Sequence, residues 1–162
     1  MTYKTKIGDW MKPRVISIQS DANVKEAAQL MVDNKVGTLP VLDEQGKLVG
    51  ELSIADVVDL LLPDFVSLVE NIDFVKDFGA FKIRSHADEE RAEATPVTEL
   101  MEDAVSVEAD CSLVRGLSIM RKHNLRDVPV IRDDQLVGLA SWVDLGRAFL
   151  EHSLFLDEED EE

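Results

Sequence analysis

The sequence predicts a mixed α/β fold of the α+β kind, in which one strand-helix-strand-strand-helix unit occurs twice. The two copies are expected to pack with pseudo-twofold symmetry, separated by a helical insertion. Three observations predict this. The segment VKEAAQLMVDNKVGTLPVLDEQGKLVGELSIADVV returns as LVRGLSIMRKHNLRDVPVIRDDQLVGLASWVDLG. Met31 matches Met120 and Pro40 matches Pro129 at an offset of 89, while Gly50 matches Gly138 and Asp56 matches Asp144 at 88, because the second hairpin turn is one residue shorter. Finally, the helical apolar spacing is kept between the copies although most identities change. Two copies fall short of the three a solenoid needs, so they are expected to face each other around a cleft, where a ligand would sit.

In the first copy, Val15 to Ile18 reads as a short β-branched strand. Asn23 then caps a helix with Glu26 three residues on, and Val24, Ala27, Ala28 and Met31 form its apolar stripe at i, i+3, i+4 and i+7. Leu113, Gly116, Leu117 and Met120 repeat the stripe behind Ser112. A strand through Leu39, Pro40, Val41 and Leu42 follows, then a turn over Asp43, Glu44, Gln45 and Gly46, and a strand through Leu48, Val49 and Leu52. The proline suits a strand edge or start. A second helix is expected from Ile54 to Leu62, ended by Pro63.

Between the copies, Phe65, Leu68, Val69 and Ile72 fall on one helical face, continued by Val75 and Phe78, and Lys82 to Ala94 reads as a solvated helix or linker. The expected organisation is therefore a first repeat over 1–62, an insertion over 63–96, a second repeat over 97–153, and an acidic disordered tail over 154–162.

Lys and Arg number 17 against 33 Asp and Glu, a net charge of −16 that repels nucleic acid and anionic membrane. Screening over about 8 Å leaves phosphate binding to charges near the site. The single cysteine, Cys111, excludes an intrachain disulfide, and MTYKTKIGDWMKP holds no apolar run long enough for a signal peptide or a membrane span, so a cytoplasmic location is expected.

Both copies carry apolar-Pro-apolar (Leu39-Pro40-Val41; Val128-Pro129-Val130), a hairpin ending in Val-Gly (Val49-Gly50; Val137-Gly138) and Ser-x-x-Asp (Ser53 to Asp56; Ser141 to Asp144). In these residues the chain resembles the cystathionine β-synthase (CBS) domain pair, or Bateman module. The resemblance implies a non-catalytic regulatory module that binds AMP, ADP, ATP or S-adenosylmethionine in the clefts between the repeats and requires no cofactor. It also implies a homodimer paired through its helices, whose surface includes the apolar run Val57, Val58, Leu60, Leu61 and Leu62. An effector protein would receive the signal. By the same resemblance Asp56 and Asp144 would hold ribose, and Ser53, Ser141, Thr38 and Arg126 would lie near phosphate. An adenine pocket would draw on Val15, Ile16, Val105, Val107, Pro40, Pro129, Gly50 and Gly138.

Each assignment has a purely structural counterpart. Ser-x-x-Asp is also a capping box, with the acid near the positive end of the helix. A carboxylate facing a vicinal diol makes charge-assisted bonds, so the two roles are compatible. Arg126, which replaces Gly37, could instead pair with Asp127 or another acid, and Asp127, which replaces Thr38, opposes a phosphate. The glycines could relieve strand twist, the valines and Ile16 could be core, and Trp142 could border a purine or simply pack. His86, His123 and His152 lack metal-ligand spacing. With no P-loop, no G-x-S-x-G and no paired catalytic constellation, an enzyme is disfavoured. The rival reading is an interaction scaffold with empty clefts that docks through the insertion helix.

Overall fold

Each repeat builds a small three-stranded sheet in which the first strand is two residues long and the other two are five to seven. The computed structural model describes residues 5–62 and 86–155. The first sheet has the order β1 (Ile18–Gln19), β2 (Thr38–Leu42), β3 (Leu48–Ser53), and the second the order β4 (Val107–Glu108), β5 (Asp127–Arg132), β6 (Gln135–Ser141). Helices α1 (Val24–Asn34) and α2 (Ile54–Leu61) belong to the first repeat, and α5 (Leu113–Lys122) and α6 (Trp142–Leu154) to the second. Helices α3 (His86–Ala94) and α4 (Val97–Leu100) precede the second repeat.

Local chemistry fixes these elements. Asn23 Oδ1 accepts from Glu26 N at 3.0 Å while Glu26 Oε2 accepts from Asn23 N at 2.9 Å, the reciprocal box expected at the start of α1. Of its stripe, Val24, Ala27 and Met31 are buried, as are Leu113, Gly116 and Met120 in α5. Asp133 and Asp134, with φ of 51° and 63°, make the tight link from β5 to β6, consistent with a two-residue turn that matches strand twist. The longer first turn instead places Gly46 at φ 80°.

Three expectations need revision. The strand expected over Val15 to Ile18 is shifted, and only Ile18–Gln19 pairs, in parallel with Val41 and Leu42. Pro40 and Pro129 lie not at edges but in the central strands β2 and β5. In β5 the physical reason is visible. Pro129 is opposite Leu139, whose own N–H and C=O are both used by Lys12 on its far side, so Pro129 is in a non-hydrogen-bonded position towards β6. Its nitrogen therefore faces the β4 side, where pairing begins only at Val130, and no ladder bond is lost. Lastly, α3 is not simply solvated: Ala92 is buried in the first core, and Lys25 of α1 bonds the carboxylates of Glu89, at 2.7 Å, and Glu93. The residues Phe65, Leu68, Val69, Ile72, Val75 and Phe78, and the acidic run from Asp157, lie outside the described residues.

The chain forms two compact units that do not follow the order of the repeats. One takes its described residues from Met1–Val15, Glu44–Val49 and Asp103–Glu162, the other from Ile16–Asp43 and Gly50–Glu102. In the first unit, Ile7 N donates to Cys111 O at 2.9 Å and Leu113 N to Thr5 O at 3.0 Å. The second unit makes the same stitch with other residues: Val97 N donates to Ala22 O at 3.0 Å and Val24 N to Thr95 O at 2.9 Å. Ile7 and Val97, each fully buried, are the plugs that these straps carry into the two cores. Helix α6 runs through Leu154, so the first residue of the expected tail is its last turn.

Candidate functional site

Both Ser-x-x-Asp motifs start a helix, and the local bonding explains why. Ser53 Oγ accepts from Asp56 N at 3.2 Å and donates to Asp56 Oδ2 at 2.6 Å, and Ser53 N donates to the same oxygen at 3.2 Å. In the second motif Ser141 Oγ accepts from Asp144 N at 3.0 Å and donates to Asp144 Oδ2 at 2.7 Å. The capping role is thus present in both copies. It engages only Oδ2 and leaves each Oδ1 without a hydrogen bond among the described residues.

The two motifs differ in their surroundings. Lys12 Nζ lies 3.5 Å from Asp144 Oδ2. Burial alone would raise the Asp144 carboxyl, but the Ser141 hydroxyl and the Lys12 ammonium outweigh it and hold the group below the ordinary aspartate value. Lys12 reaches this place because its N–H donates to Leu139 O at 2.8 Å and its carbonyl accepts from Leu139 N at 2.9 Å. In the first motif the equivalent strap residue is an acid: Glu51 and Glu102 exchange the same two backbone bonds, both 2.9 Å. Sequence reading missed Lys12, although extending the internal alignment upstream pairs Met11-Lys12 with Met101-Glu102 and would have exposed it.

Gly138 and Gly50 have a common structural reason. A Cβ on Gly138 would lie 2.4 Å from Met11 Sδ, and one on Gly50 2.6 Å from Met101 Sδ, so the missing side chain admits a strap methionine. That accounts for glycine at both positions without a ligand. Pro40, Pro129 and Val107 are likewise buried, whereas Val15, Ile16 and Val105 are half-buried.

Arg126 is exposed and makes no ion pair among the described residues, with Asp127 or otherwise. Its carbonyl accepts from Trp142 N at 2.7 Å, as Gly37 O accepts from Ile54 N at 2.8 Å, which ties each loop to the helix start. A cleft of about 520 Å³ gathers Arg126, Asp127, Ser141 and Trp142 but is not lined by Asp144. In the other unit a hollow of about 590 Å³ is lined by Ser17, Asp21, Glu26 and Gln29 and by none of the expected site residues. Thr38, on β2, is half-buried. Among the described residues no cluster of three His, Cys, Asp or Glu side chains is arranged to hold a metal ion, and no helix is long and apolar enough to cross a membrane.

Comparison with known proteins places these features in a family. The CBS domain model matches residues 7–63 and 97–151, one match to each repeat. The magnesium transporter MgtE of Thermus thermophilus is 40% identical over 58 residues, 36% of this chain and 13% of that protein. The chain spans 13% to 35% of the length of MgtE and of two similar Methanocaldococcus jannaschii proteins. Hypoxic response protein 1 of Mycobacterium tuberculosis is 28% identical over 151 residues, 93% of this chain and 89% of that one. A crystal structure of CBSX2 in complex with AMP superposes with a TM-score of 0.65 at 27% identity, covering 91% of this chain and 98% of that one. With a match to each of the two repeats, this chain belongs to the CBS domain family as a tandem pair.

Proposed function

We propose that the chain is a non-catalytic regulatory module that binds an adenine nucleotide or a related adenosyl ligand and changes its shape or partner affinity on binding. The observation that carries the reading is the state of the two aspartates. Each is pinned through Oδ2 at a helix start, so its free Oδ1 is presented in a fixed direction to a pair of hydroxyls at little entropic cost. The likeness to CBSX2, which has been crystallised with AMP, supports an adenosyl ligand. Lys12 and Arg126 supply positive charge near Asp144 and Ser141 in a chain that is otherwise strongly acidic.

The test is a titration of AMP, ADP, ATP and S-adenosylmethionine against thermal unfolding. A ligand at 100 times its dissociation constant adds about 2.7 kcal/mol, a rise of roughly 5 to 10 °C for a chain of this size. Asp144→Ala should then weaken the ligand by roughly ten to a hundredfold. No stabilisation by any of the four would end this reading.

The proposal includes a homodimer. Of the run Val57, Val58, Leu60, Leu61 and Leu62 expected at its surface, Val57 is buried in the first core and Leu60 and Leu61 pack against that core, so only Val58 and Leu62 stay at least 40% exposed. In the other unit Val143, Phe149, Leu150 and Leu154 on α6 are also at least 40% exposed, and association would cover apolar side chains of this kind. A monomeric mass by light scattering at micromolar concentration would remove this part.

A further inference from the structure

Lys12 and Glu102 hold one position in the doubled architecture and carry opposite charge. Each exchanges two backbone hydrogen bonds with a strand residue, Leu139 or Glu51, that stands two places before the serine of Ser-x-x-Asp. At one copy this register brings an ammonium to 3.5 Å from Asp144. At the other, the strap offers a carboxylate, and Asp56 makes no ion pair among the described residues. The loop on the other side of each helix start changes in the same direction. Arg126 stands where the first copy has Gly37, with the same backbone bond to the helix, although Asp127 in place of Thr38 offsets one charge.

We infer that these positions sort the two sites by ligand charge: the Asp144 site takes a phosphorylated nucleoside, and the Asp56 site an uncharged or cationic one. The inference rests on the nucleoside-binding reading above and adds the division of labour between the sites. Lys12 is the selector. Its side chain is 67% exposed while that of Asp144 is 19% exposed, so the lysine can leave the aspartate without disturbing the core. Ribose hydroxyls take the free Oδ1, the ammonium swings from Oδ2 to the ligand's phosphate, and one ion pair is exchanged for another. Glu102, which is exposed at the mirror position, repels a phosphate there and favours a neutral or positive substituent. A unit charge within about 5 Å of a phosphate at a partly exposed site changes affinity by about tenfold or more.

Calorimetric titration with AMP and with adenosine, on the full chain and on Lys12→Glu and Glu102→Lys, tests the inference. Both replaced side chains are exposed, and circular dichroism melts confirm that the variants fold. The wild type should bind one AMP per chain, abolished by Asp144→Ala and retained in Asp56→Ala. Lys12→Glu should weaken AMP by about tenfold or more while adenosine binding at the Asp56 site stays within about twofold, and Glu102→Lys should raise the AMP stoichiometry to two per chain. AMP binding that survives Lys12→Glu unchanged, or that is lost in Asp56→Ala in place of Asp144→Ala, overturns the division by charge alone. Failure of adenosine and of AMP, ADP, ATP and S-adenosylmethionine alike to bind the wild type overturns the nucleoside reading itself, and the division with it, whereas failure of AMP and adenosine alone overturns only the division.

Discussion

Replacing Gly138 with alanine should detach the N-terminal strap from β6. The added Cβ would lie 2.4 Å from Met11 Sδ, 2.8 Å from Met11 Cγ and 3.0 Å from the Lys12 carbonyl oxygen, where ordinary contact begins near 3.4 Å. The methionine tip can rotate, but the Lys12 carbonyl is held at 2.9 Å by Leu139 N, and its own N–H bonds Leu139 O at 2.8 Å. Relief therefore means either strain in the strap or loss of that hydrogen-bonded pair. Overpacking of this kind costs about 1–3 kcal/mol, and each net hydrogen bond adds about 0.5–1.5 kcal/mol if the pair opens. Thermal unfolding followed by circular dichroism should show a fall of roughly 3–10 °C. In a double-mutant cycle with Met11→Ala, the two changes should be less than additive by about 1 kcal/mol or more, because the second removes the atoms in collision. A Gly138→Ala protein as stable as wild type, or strict additivity with Met11→Ala, would show that the strap does not press on this glycine.

Ser141→Ala and Ser53→Ala should each cost about 0.5–2 kcal/mol in urea unfolding, because each removes the acceptor for a helix-start N–H, while Ser→Asn at either place should recover most of the loss. Since the Asp144 carboxyl is held below its ordinary value in the folded chain, the unfolded chain binds that proton more readily. Its contribution is complete above the ordinary aspartate value and is lost as pH falls through the lower folded one. Stability measured downward from about pH 5 should therefore decline less steeply in Lys12→Met than in wild type, and identical acid limbs would count against the Lys12 pair.

What could be read from the chain was whatever recurs at fixed spacing. The doubled pattern shows as matching residues at an offset of 88 or 89, while the apolar stripe of α1 and the caps at Asn23, Ser53, Ser112 and Ser141 are local, since each of these depends on residues three or four apart, and each is found in place. Local spacing says nothing about which distant segment supplies a missing neighbour. Ile7 fills the space over Gly116, where a Cβ would stand 2.2 Å from its Cδ1, and no periodicity links those two residues. Pro129 misled for a related reason, because whether a strand proline loses a bond depends on how far the adjacent strand extends, and β4 is two residues long. Ser-x-x-Asp was legible as chemistry in both its roles, whereas the charge beside it was not. Lys12 acquires meaning only when the strap is laid along β6.

The crossed order of the straps bears on how the chain is made. The unit containing Ile16–Asp43 and Gly50–Glu102 needs nothing synthesised after Glu102, so it can condense while the remainder is still being translated. The other unit joins the opening residues to a segment that begins only at Asp103. Thr5, Ile7 and Lys12 must wait, solvated, until their docking strand emerges from the ribosome. The repeats therefore cannot be separated at their sequence boundary: a chain severed after the first repeat would carry a strap with no sheet to receive it, and would lack the Val97 plug that closes its own core.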